Sequence, residues 1–548
     1  MAYEGDAALS RIADEGGAWL GIDLGTQSVR VLLATGEGKV LGSGTAPLTG
    51  RRAGPRHEQD PEHWWDAVCT ASRAALGGRP RVRIGGLAVC ATSGTVLLTD
   101  SSGHPLTPGL MYDDGRAAAE GERARAAGLS VQNGWALPKA LWLVREYTGA
   151  RLAHQPDVIV TRLTGHPAPT DSSHALKTAY DLERATWPYA AFAELGLPAR
   201  LLPDVVRPGT RLGEVCAAAA ERTGIPVGTP VIAGMTDGCA AQIASGALRE
   251  GSWNSVLGTT LVLKGVSSAP VRDGTGVVYN HRAPDGSWWP GGASSVGAGA
   301  LTTYFPDASP GPLDKAARPF AALDKAARPL PAMDKAARPP AALDKAARPL
   351  PAMDKAAQHL AAMDQEAAAH EPASVLAYPL TSPGERFPFL APDATPFVLG
   401  APASDADLWA ALLQGVGLAE RLCLDYLHHL GAPLDGPLTF TGGAARSPYW
   451  NQLRADILGR PARVPEQTEP ALGMAALAAY GTGAAPTLAD AAERMVRVRT
   501  VLAPRPVRTA LFADPYARLV DELEYRGWLP APVAAHARAR LDLDTAGS

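Results

Sequence analysis

The stretch GIDLGTQSVRVLLATGEGKVLGSG, residues 21–44, carries the pattern that decides the fold. Two apolar, β-rich runs surround a Gly-Thr turn, and Asp23 stands inside the first run, two residues before Gly25. A Gly-Thr turn presents backbone N–H groups and a hydroxyl toward one point, which makes a cradle for phosphate. A carboxylate beside phosphate requires a cation between them, and Mg²⁺ bound mainly through water supplies it. Asp23 is therefore a candidate magnesium-orienting residue for ATP; a strand-end aspartate that caps a turn is the alternative.

A second copy of this pattern lies about half a chain later. The stretch GSWNSVLGTTLVLKGV, from Gly251, sets Leu257-Gly258-Thr259 between apolar runs, just as the opening stretch sets Leu24-Gly25-Thr26. Two such turns, one per domain, could hold a polyphosphate from both sides of a cleft. They predict two structurally related domains with a boundary near residue 247, and they favour nucleotide binding at Asp23 over turn capping.

A third segment places a carboxylate at the end of a predicted strand. In VIAGMTDGCAAQIASGAL, from Val231, Asp237 follows an apolar run and begins a helix of small residues. Clefts in α/β sheets open at the carboxyl ends of the strands. Asp237 is therefore a candidate general base that takes the proton of a substrate hydroxyl during phosphoryl transfer. The alternative is an N-cap aspartate.

A fourth segment offers a surface for a flat ring. In LTFTGGAARSPYWNQLRADILGRPARV a strand ends at Gly442-Gly443-Ala444, and a helix is predicted from Pro448 to Leu458. Gly473, in EPALGMAALAAYG, begins an Ala-rich helix. Small residues allow adenine to lie against the backbone, and they equally serve close helix packing. After a phosphate turn, adenine binding is the preferred interpretation.

Composition limits the class of protein. The chain has 548 residues and a net charge of −4, which suits two large domains and gives no reason to expect nucleic acid binding. Strands and helices alternate to about residue 245, which predicts α/β layers. The five cysteines are scattered without CxxC spacing, as in proteins of a reducing compartment. Without a signal pattern or an apolar run of about 18 residues, the expectation is a cytoplasmic protein that has no membrane segment.

Residues 313–365 form a ten-residue repeat that begins LDKAARPFAA, LDKAARPLPA, MDKAARPPAA. A proline interrupts each of the first four units, at Pro319, Pro329, Pro339 and Pro349. The repeat is therefore predicted to be a flexible insertion in a surface loop or short helix. An arm that binds a partner is the alternative.

These elements, in this order, resemble the FGGY family of carbohydrate kinases over roughly residues 18–500, the repeat excepted. GIDLGTQSVR and SVLGTTLVL resemble the two phosphate motifs of the family, MTDG its catalytic segment, and TGGAARSPYWNQLRADILGRP its adenosine segment. GWALPKALWLVRE fits a Lys-x-x-Trp signature through Lys139 and Trp142, although Ala136 and Ala140 depart from the usual residue types.

The resemblance implies an α/β fold: a two-domain actin-like/Hsp70-like ATPase of the ribonuclease H-like type, with ATP and sugar in the interdomain cleft. It implies an N-terminal extension at 1–17, a sugar-binding domain at 18–247, an ATP-binding domain at 248–500 and a C-terminal tail at 501–548.

The resemblance also implies roles for individual residues. Asp237 and Asp23 are the expected catalytic residues, and Asp23 is expected to orient Mg²⁺ through water. The residues expected at ATP are Gly25, Thr26, Gln27, Gly258, Thr259, Thr260, Gly442, Gly443, Ala444, Ser447 and Gly473. The residues expected at the sugar are Thr92, Ser93, Gly94, Thr95, Tyr112, Asp113, Asp114 and Asp237.

Within the family, the details point to kinases of five-carbon ketoses. Xylulokinases usually show Gln-Met-His-Gly where this chain has Thr92-Ser93-Gly94-Thr95. The stretches SVLGTTLVLKGVS, VVYNHR, WWPGGASSVGAGAL and YPLTSPGERFPF resemble the D-ribulokinase group. The predicted function is ATP-dependent phosphorylation of D-ribulose to D-ribulose 5-phosphate. The alternatives are a xylulokinase, another sugar or polyol kinase, and a catalytically inactive nucleotide-binding regulator. Sugar and ATP are the expected partners, without nucleic acid or membrane, and a homodimer is compatible with the sequence.

Overall fold

The computed structural model describes residues 17–77, 83–305 and 350–546, with the backbone alone for 350–358 and 542–546. The chain divides into two compact units. Unit 1 consists of the chain up to Leu248 together with His281–Trp289 and Glu466–Arg497. Unit 2 consists of Arg249–Asn280, Pro290–Pro465 and the chain from Val498 onward.

The described chain contains both strands and helices. The strands are β1 (Ala18–Leu24), β2 (Ser28–Thr35), β3 (Val40–Pro47), β4 (Arg51–Ala53), β5 (Arg56–Gln59), β6 (Ile84–Ala91), β7 (Val96–Thr99), β8 (Gly109–Leu110), β9 (Arg151–His154), β10 (Thr170–Asp171), β11 (Val205–Val206), β12 (Arg211–Glu214), β13 (Pro230–Ile232), β14 (Trp253–Leu257), β15 (Leu261–Gly265), β16 (Tyr279–Arg282), β17 (Trp288–Ser294), β18 (Leu376–Tyr378), β19 (Phe397–Leu399), β20 (Leu438–Thr441), β21 (Ala462–Pro465) and β22 (Val498–Leu502). The helices are α1 (Pro61–Leu76), α2 (Ala118–Ala126), α3 (Ala136–Glu146), α4 (Gln155–Thr164), α5 (Ser172–Ala175), α6 (Tyr189–Leu195), α7 (Ala217–Thr223), α8 (Asp237–Ala244), α9 (Gly299–Tyr304), α10 (Leu350–Ala367), α11 (Asp405–His429), α12 (Pro448–Leu458), α13 (Pro470–Gly481), α14 (Leu488–Met495), α15 (Pro506–Leu511), α16 (Ala513–Tyr525) and α17 (Ala531–Ala546).

The main sheet of unit 1 has the order β12-β13-β6-β1-β2-β3. Strand β1 runs parallel to β6 and antiparallel to β2, and β6 runs parallel to β13. All seven residues of β1 are buried, as expected of a central strand whose two faces are both covered. The opening stretch thus contains three strands, β1, β2 and the start of β3, where strand-turn-strand was expected, because the Gly36–Gly38 turn ends β2 before β3 begins.

The main sheet of unit 2 repeats this topology, with the order β16-β17-β15-β14-β20-β21-β22. Strand β14 lies between its antiparallel neighbour β15 and its parallel neighbour β20, as β1 lies between β2 and β6. Both Leu-Gly-Thr turns therefore occupy the same place, between the first two strands of a sheet. This likeness confirms the two related folds that the repeated turn predicted.

Two segments lie in a different unit or core from the one that the sequence boundaries suggest. Glu466–Arg497, expected within the ATP-binding domain, packs in unit 1, where α13 lies against β1. A Cβ at Gly21 of β1 would be 1.7 Å from the carbonyl oxygen of Ala471, so that the missing side chain allows this contact.

The expected C-terminal tail belongs to the core of unit 2, where Phe512 and Tyr516 are buried. Helix α16 is amphipathic, and α16 and α17 both pack against α11.

The repeat ends inside the folded core. Residues 313–349 lie outside the described part of the chain, but 350–365 belong to α10. Leu360 and Met363 pack on the core of unit 2, and Asp364 accepts hydrogen bonds from Trp409 Nε1 (3.0 Å) and Ser447 Oγ (2.6 Å). The prediction of a flexible insertion is therefore wrong for this end. The reason is that His359 stands where the earlier units have proline, and the helix continues.

None of the helices in the described ranges is long and apolar enough to cross a membrane.

Candidate active site

The carboxyl ends of β1, β6 and β13 meet at one edge of the main sheet of unit 1. Asp23, near the end of β1, pairs in register with Cys90 of β6. Ala91 forms a parallel β-bridge with Thr236, the residue before Asp237. This strand register brings the two predicted catalytic carboxylates to the same edge.

Asp23 is a buried carboxylate with little local compensation of its charge. Its nearest cationic group is the guanidinium of Arg30, at 3.9 Å and half exposed, and the thiol of Cys90 lies 3.5 Å from Oδ1. Burial, and then the negative charge of Asp237, raise the pKa of Asp23 to about 7. Two carboxylates, Asp23 and Asp237, that lie close together with little positive charge nearby favour the binding of a cation.

Asp237 is the first residue of α8, and Thr236 occupies the N-cap position. The N-cap alternative for Asp237 is therefore wrong. Its Oδ1 accepts a hydrogen bond from the backbone N–H of Gly238 at 2.7 Å. A negative charge is favoured in the first turn of a helix, because the N–H groups there point toward it.

Hydrogen bonds hold the predicted phosphate turn of unit 1 in place. The backbone N–H of Gly25 donates to Ser28 O at 3.1 Å, which closes the turn. Gln59 Nε2 donates to Thr26 O at 2.7 Å, and the Gln59 side chain accepts in turn from Trp64 Nε1 at 2.8 Å. The next residue, Gln27, is exposed. Rigid support of this kind preorganises the turn for a ligand.

The corresponding turn of unit 2 lies beside the predicted adenosine segment. Gly258 N donates to Thr260 O at 3.1 Å, and the backbone N–H of Gly299 donates to Thr259 O at 3.0 Å. Gly442 has φ = +87°, and a Cβ there would be 2.5 Å from Leu257 O. The two predicted nucleotide elements of unit 2 are thus neighbours because a glycine permits their contact.

The residues after Gly442 form a short 3₁₀ turn that leads into α12. Gly443 is exposed, and a Cβ there would meet nothing within 4 Å, whereas Ala444 is buried. Ser447 caps α12 by accepting from Trp450 N at 3.0 Å. In this segment the backbone of Gly443 is therefore accessible to a ligand.

Gly473 lies elsewhere. It belongs to α13 in unit 1, where a Cβ would be 2.1 Å from the carbonyl oxygen of Ala240 in α8. It is fully enclosed, so close helix packing accounts for this glycine, and we do not keep it among the adenosine candidates.

Among the expected sugar residues, Thr92 and Thr95 are committed to internal bonds. Thr92 Oγ1 donates to Gln155 Oε1 at 2.5 Å, which leaves Thr95 Oγ1 to donate to Thr92 at 2.6 Å. Both residues are buried. Gly94 has φ = +101°, and the buried Ser93 Oγ has no hydrogen-bond partner in the described structure. Of this stretch, Ser93 is the side chain left available to a ligand.

The two aspartates that were expected at the sugar, Asp113 and Asp114, also bond to other side chains of the protein. Asp113 contacts Arg52 (2.7 Å) and His57 Nδ1 (2.5 Å). Burial would raise the pKa of Asp113, but the hydrogen bonds from these partners outweigh it and lower the pKa to about 2. Asp114 is buried and accepts two hydrogen bonds from the guanidinium of Arg116, at 2.9 and 2.8 Å. Both carboxylates are therefore held by side chains of the protein.

Tyr112 connects the sugar region to the phosphate turn. Its hydroxyl hydrogen bonds with the Thr26 side chain, and burial followed by the charge of Asp113 raises the pKa of Tyr112. The residue remains 41% exposed, so part of its surface is open to a ligand.

Two lysines near these residues are buried. Lys139 of the Lys-x-x-Trp signature is fully buried and donates to Gly134 O and Trp135 O, both at 2.9 Å. Lys177 is buried, although lysine side chains usually lie at the surface, and its Nζ lies 4.5 Å from the centre of the Trp135 ring. The only sequence signal that places Lys177 near the sugar is the resemblance of its segment, after β10, to an insertion that lies next to the sugar in this family.

A second Asp-His pair stands behind Asp237. His174 Nδ1 lies 2.5 Å from Asp171 Oδ2, and both residues are buried. Ser173 Oγ donates to Asp171 (2.6 Å) and accepts from the backbone N–H of Thr236 (2.9 Å). The loop that carries Asp237 is thereby fixed to α5.

The residues present fit a magnesium ion. Asp23 and Asp237 put two carboxylates at one strand edge, and burial, followed by the charge of Asp237, raises the pKa of Asp23. Within the described ranges, no group of three or more His, Cys, Asp or Glu side chains could hold a metal alone. An ion held by Asp23 and Asp237 would take its remaining ligands from phosphate oxygens and water.

Comparison with known proteins gives a consistent result. Residues 18–244 match the model of the FGGY family of carbohydrate kinases, N-terminal domain, and residues 253–482 match that of the C-terminal domain. A xylulose kinase of Streptomyces rubiginosus is 33% identical over 310 residues, which cover 51% of this chain and 60% of that protein. The xylulose kinase of Escherichia coli (strain K12) is 27% identical over 482 residues, which cover 84% of this chain and 89% of that protein.

Solved structures share the fold. The xylulose kinase of Rhodospirillum rubrum superposes with a TM-score of 0.75 at 24% identity, covering 92% of this chain and 99% of that one. A gluconate kinase of Lactobacillus acidophilus gives the same TM-score at 17% identity, covering 93% and 98%. These matches confirm the two-domain α/β ATPase fold.

Proposed function

This chain belongs to the FGGY family of carbohydrate kinases, and we propose that it transfers the γ-phosphoryl group of ATP to the terminal hydroxyl of a ketopentose. The observation that carries the proposal is the pair Asp23 and Asp237 at one strand edge, beside a phosphate turn. Phosphoryl transfer to an alcohol needs a base for the hydroxyl proton and groups that hold the phosphates, and this edge supplies both.

In the proposed reaction, Asp237 accepts the proton of the attacking hydroxyl. The oxygen then attacks the γ-phosphorus in line, the bond to the β-phosphate oxygen breaks, and ADP leaves. Asp23 and the phosphates would hold Mg²⁺, which neutralises charge on the phosphate oxygens. Because the backbone N–H of Gly25 is used within the turn, the backbone N–H and the hydroxyl of Thr26 are the groups that we propose for these phosphates.

We assign the nucleotide to the turn and adenosine segment of unit 2. The contact of Gly442 with Leu257 supports this assignment, because it sets the Gly258-Thr259 turn beside the open backbone of Gly443. Thr260 closes the turn, and Ser447 fixes the start of α12 behind it.

The choice of ketopentose rests on fewer residues. Two stretches that resemble D-ribulokinases, GGAS and PGERFP, contact each other in unit 2: Glu385 accepts from Ser294 Oγ (3.0 Å) and Ser295 N (2.7 Å). They serve the fold of that unit, so they do not choose the sugar. D-ribulose is proposed first because Thr92-Ser93-Gly94-Thr95 replaces the Gln-Met-His-Gly stretch that is usual in xylulokinases. D-xylulose is the second candidate, because relatives named xylulose kinase match the chain.

The test measures ADP release with Mg-ATP over D-ribulose, D-xylulose, L-ribulose, D-ribose, ribitol and glycerol. We expect one ketopentose to exceed the others at least tenfold in kcat/KM, about 1.4 kcal/mol of transition-state discrimination. Asp237→Asn should then lower kcat by several orders of magnitude while ATP still binds. Near-normal turnover in that variant would remove Asp237 as the base.

If no sugar accelerates ADP release although ATP binds, the sugar kinase proposal fails. The alternative function, a catalytically inactive nucleotide-binding regulator of the same fold, would then explain the result better. The retention of both carboxylates argues against it, because such a protein needs neither.

A further inference from the structure

Gln155 carries a buried N–H group without an acceptor. The residue begins α4 and is fully buried. Its Oε1 accepts from Thr92 N (3.1 Å) and Thr92 Oγ1 (2.5 Å). A backbone N–H can only donate, so the atom that faces it must be the oxygen, and the amide orientation is fixed. Nε2 is then the atom left over, and it has no partner in the described structure.

His174 presents a second such group. Its Nδ1 bonds Asp171, and its Nε2 is buried without a partner among the residues described. Burial works against the charged imidazole, but the Asp171 carboxylate outweighs it, so that the pKa of His174 is raised. With Nδ1 donating to Asp171, a protonated ring has Nε2–H as a donor as well.

Both groups lie beside the strand ends that carry the proposed base. Thr92, which holds Gln155, follows Ala91, and Ala91 pairs with Thr236. His174 follows Ser173, whose hydroxyl accepts from Thr236 N. The ring of His154, the residue before Gln155, lies 6.0 Å from the ring of His174. One small cluster therefore contains two fully buried, unused N–H donors next to Asp237.

We propose that Gln155 and His174 are specificity-determining residues that bind the carbonyl oxygen of an open-chain ketose; this inference rests on the proposed function. Buried donors are almost always paired in folded proteins, so two orphans beside a substrate site indicate a ligand oxygen. A ketone oxygen accepts two hydrogen bonds and has no hydrogen of its own. The hydroxyl of an alditol would bring a hydrogen that faces only donors.

The expected consequence is a preference for ketoses over the matching alditols. Sites built to hydrogen-bond one group reject an analogue that leaves buried polar atoms unpaired. For the wild type we expect kcat/KM for D-ribulose or D-xylulose to exceed that for ribitol or xylitol by roughly 100-fold.

Two substitutions at His174 separate ligand binding from structural support. His174→Asn keeps an N–H near the position of Nδ1, for Asp171, and removes Nε2. His174→Gln does the reverse. We expect His174→Asn to lower kcat/KM for the ketose about 10- to 100-fold through the sugar KM, with the KM for ATP and the melting temperature nearly unchanged. His174→Gln should keep more of the ketose preference while it loses stability.

Gln155→Glu is the second test, because it keeps an oxygen for Thr92 while it replaces the amide donor with a carboxylate oxygen and adds an ionisable group. It should also reduce the ratio of ketose to alditol activity. If His174→Asn and Gln155→Glu keep the wild-type ratio, the orphans are satisfied by buried water and the inference falls, while the kinase proposal stands. A wild type that phosphorylates no ketose overturns the proposed function and this inference together.

Discussion

At the scale of single residues, the sequence identified the charged groups that stand at strand ends. Asp23 and Asp237 follow apolar runs, so their position at one sheet edge follows from parallel pairing. Gln155 and His174 gave no such signal. Their importance depends on which of their atoms remain unpaired after folding, and that is decided by neighbours distant in the chain, such as Thr92.

Lys139, of the Lys-x-x-Trp signature, has a structural role in this protein. Its ammonium donates to carbonyl oxygens of Gly134 and Trp135 and, at 3.4 Å, of Tyr112. It thereby joins α3 to the loop that carries Tyr112. Burial lowers the pKa of Lys139 to about 7, although Asp114 and Asp113 oppose the shift.

Lys139→Met should therefore destabilise the protein by about 2–3 kcal/mol at pH 7, because three carbonyls lose their donor. The pKa is depressed in the folded state, so the unfolded chain binds more protons between pH 7 and pH 10. Wild-type stability should rise with pH across this window relative to the variant. Urea unfolding of both proteins at pH 7 and pH 9.5 measures the difference. A pH-independent difference would show that the lysine is not depressed.

At the scale of elements, local signals predicted helices well. Helix α12 spans Pro448–Leu458 as expected, because Ser447 caps its start and Gly459, in the left-handed conformation, ends it. Signals of this kind are contained in a few adjacent residues. Helix α10 was missed because a single change, proline to His359, decides whether the repeat ends as a helix.

Two glycines that the sequence could not distinguish should respond differently to the same substitution. Gly473→Ala forces a Cβ against Ala240 O, and should cost about 1–3 kcal/mol of stability. Gly443→Ala meets open space, and should leave the melting temperature within a degree or two. If adenosine lies on Gly443, that variant should raise the KM for ATP severalfold. Melting curves and ATP kinetics on both variants provide the comparison; a stable Gly473→Ala protein would contradict the packing account.

The repeat should be dispensable only up to its last unit. Deleting residues 313–349 and rejoining the chain should leave kcat and the melting temperature nearly unchanged, since the cost of loop closure grows only with the logarithm of length. Extending the deletion through Gln365 should lower the melting temperature markedly. Asp364→Ala tests the anchor alone: it removes the bonds to Trp409 and Ser447 and should cost about 1–3 kcal/mol. Equal stability of the two deletions would show that α10 contributes nothing to the core.

At the scale of the whole molecule, the repeated Leu-Gly-Thr turn predicted two sheets of the same topology. The sequence did not predict that the chain leaves unit 2 after Pro465, adds α13 and α14 to unit 1, and returns at Val498. Helix α13 is apolar on all sides, so its sequence shows that it is buried but not against which sheet. The missing Cβ of Gly21 and the bond from Trp19 Nε1 to Thr482 Oγ1 (3.0 Å) decide the partner.

This return of the chain predicts a pattern of hydrogen exchange in the full-length protein. Elements that unfold together exchange together, and α13 packs against β1, β6 and α8. Its amides should therefore exchange at the rate of β1, and not at the rate of β20 and β21, which precede it in the chain. Gly473→Ala should accelerate exchange in β1 and α8 while α11 of unit 2 keeps its wild-type rate. Mass spectrometry of peptic peptides resolves these segments. Exchange of α13 in step with β20 and β21 would mean that the segment folds with unit 2, and the boundary near residue 466 would have to be abandoned.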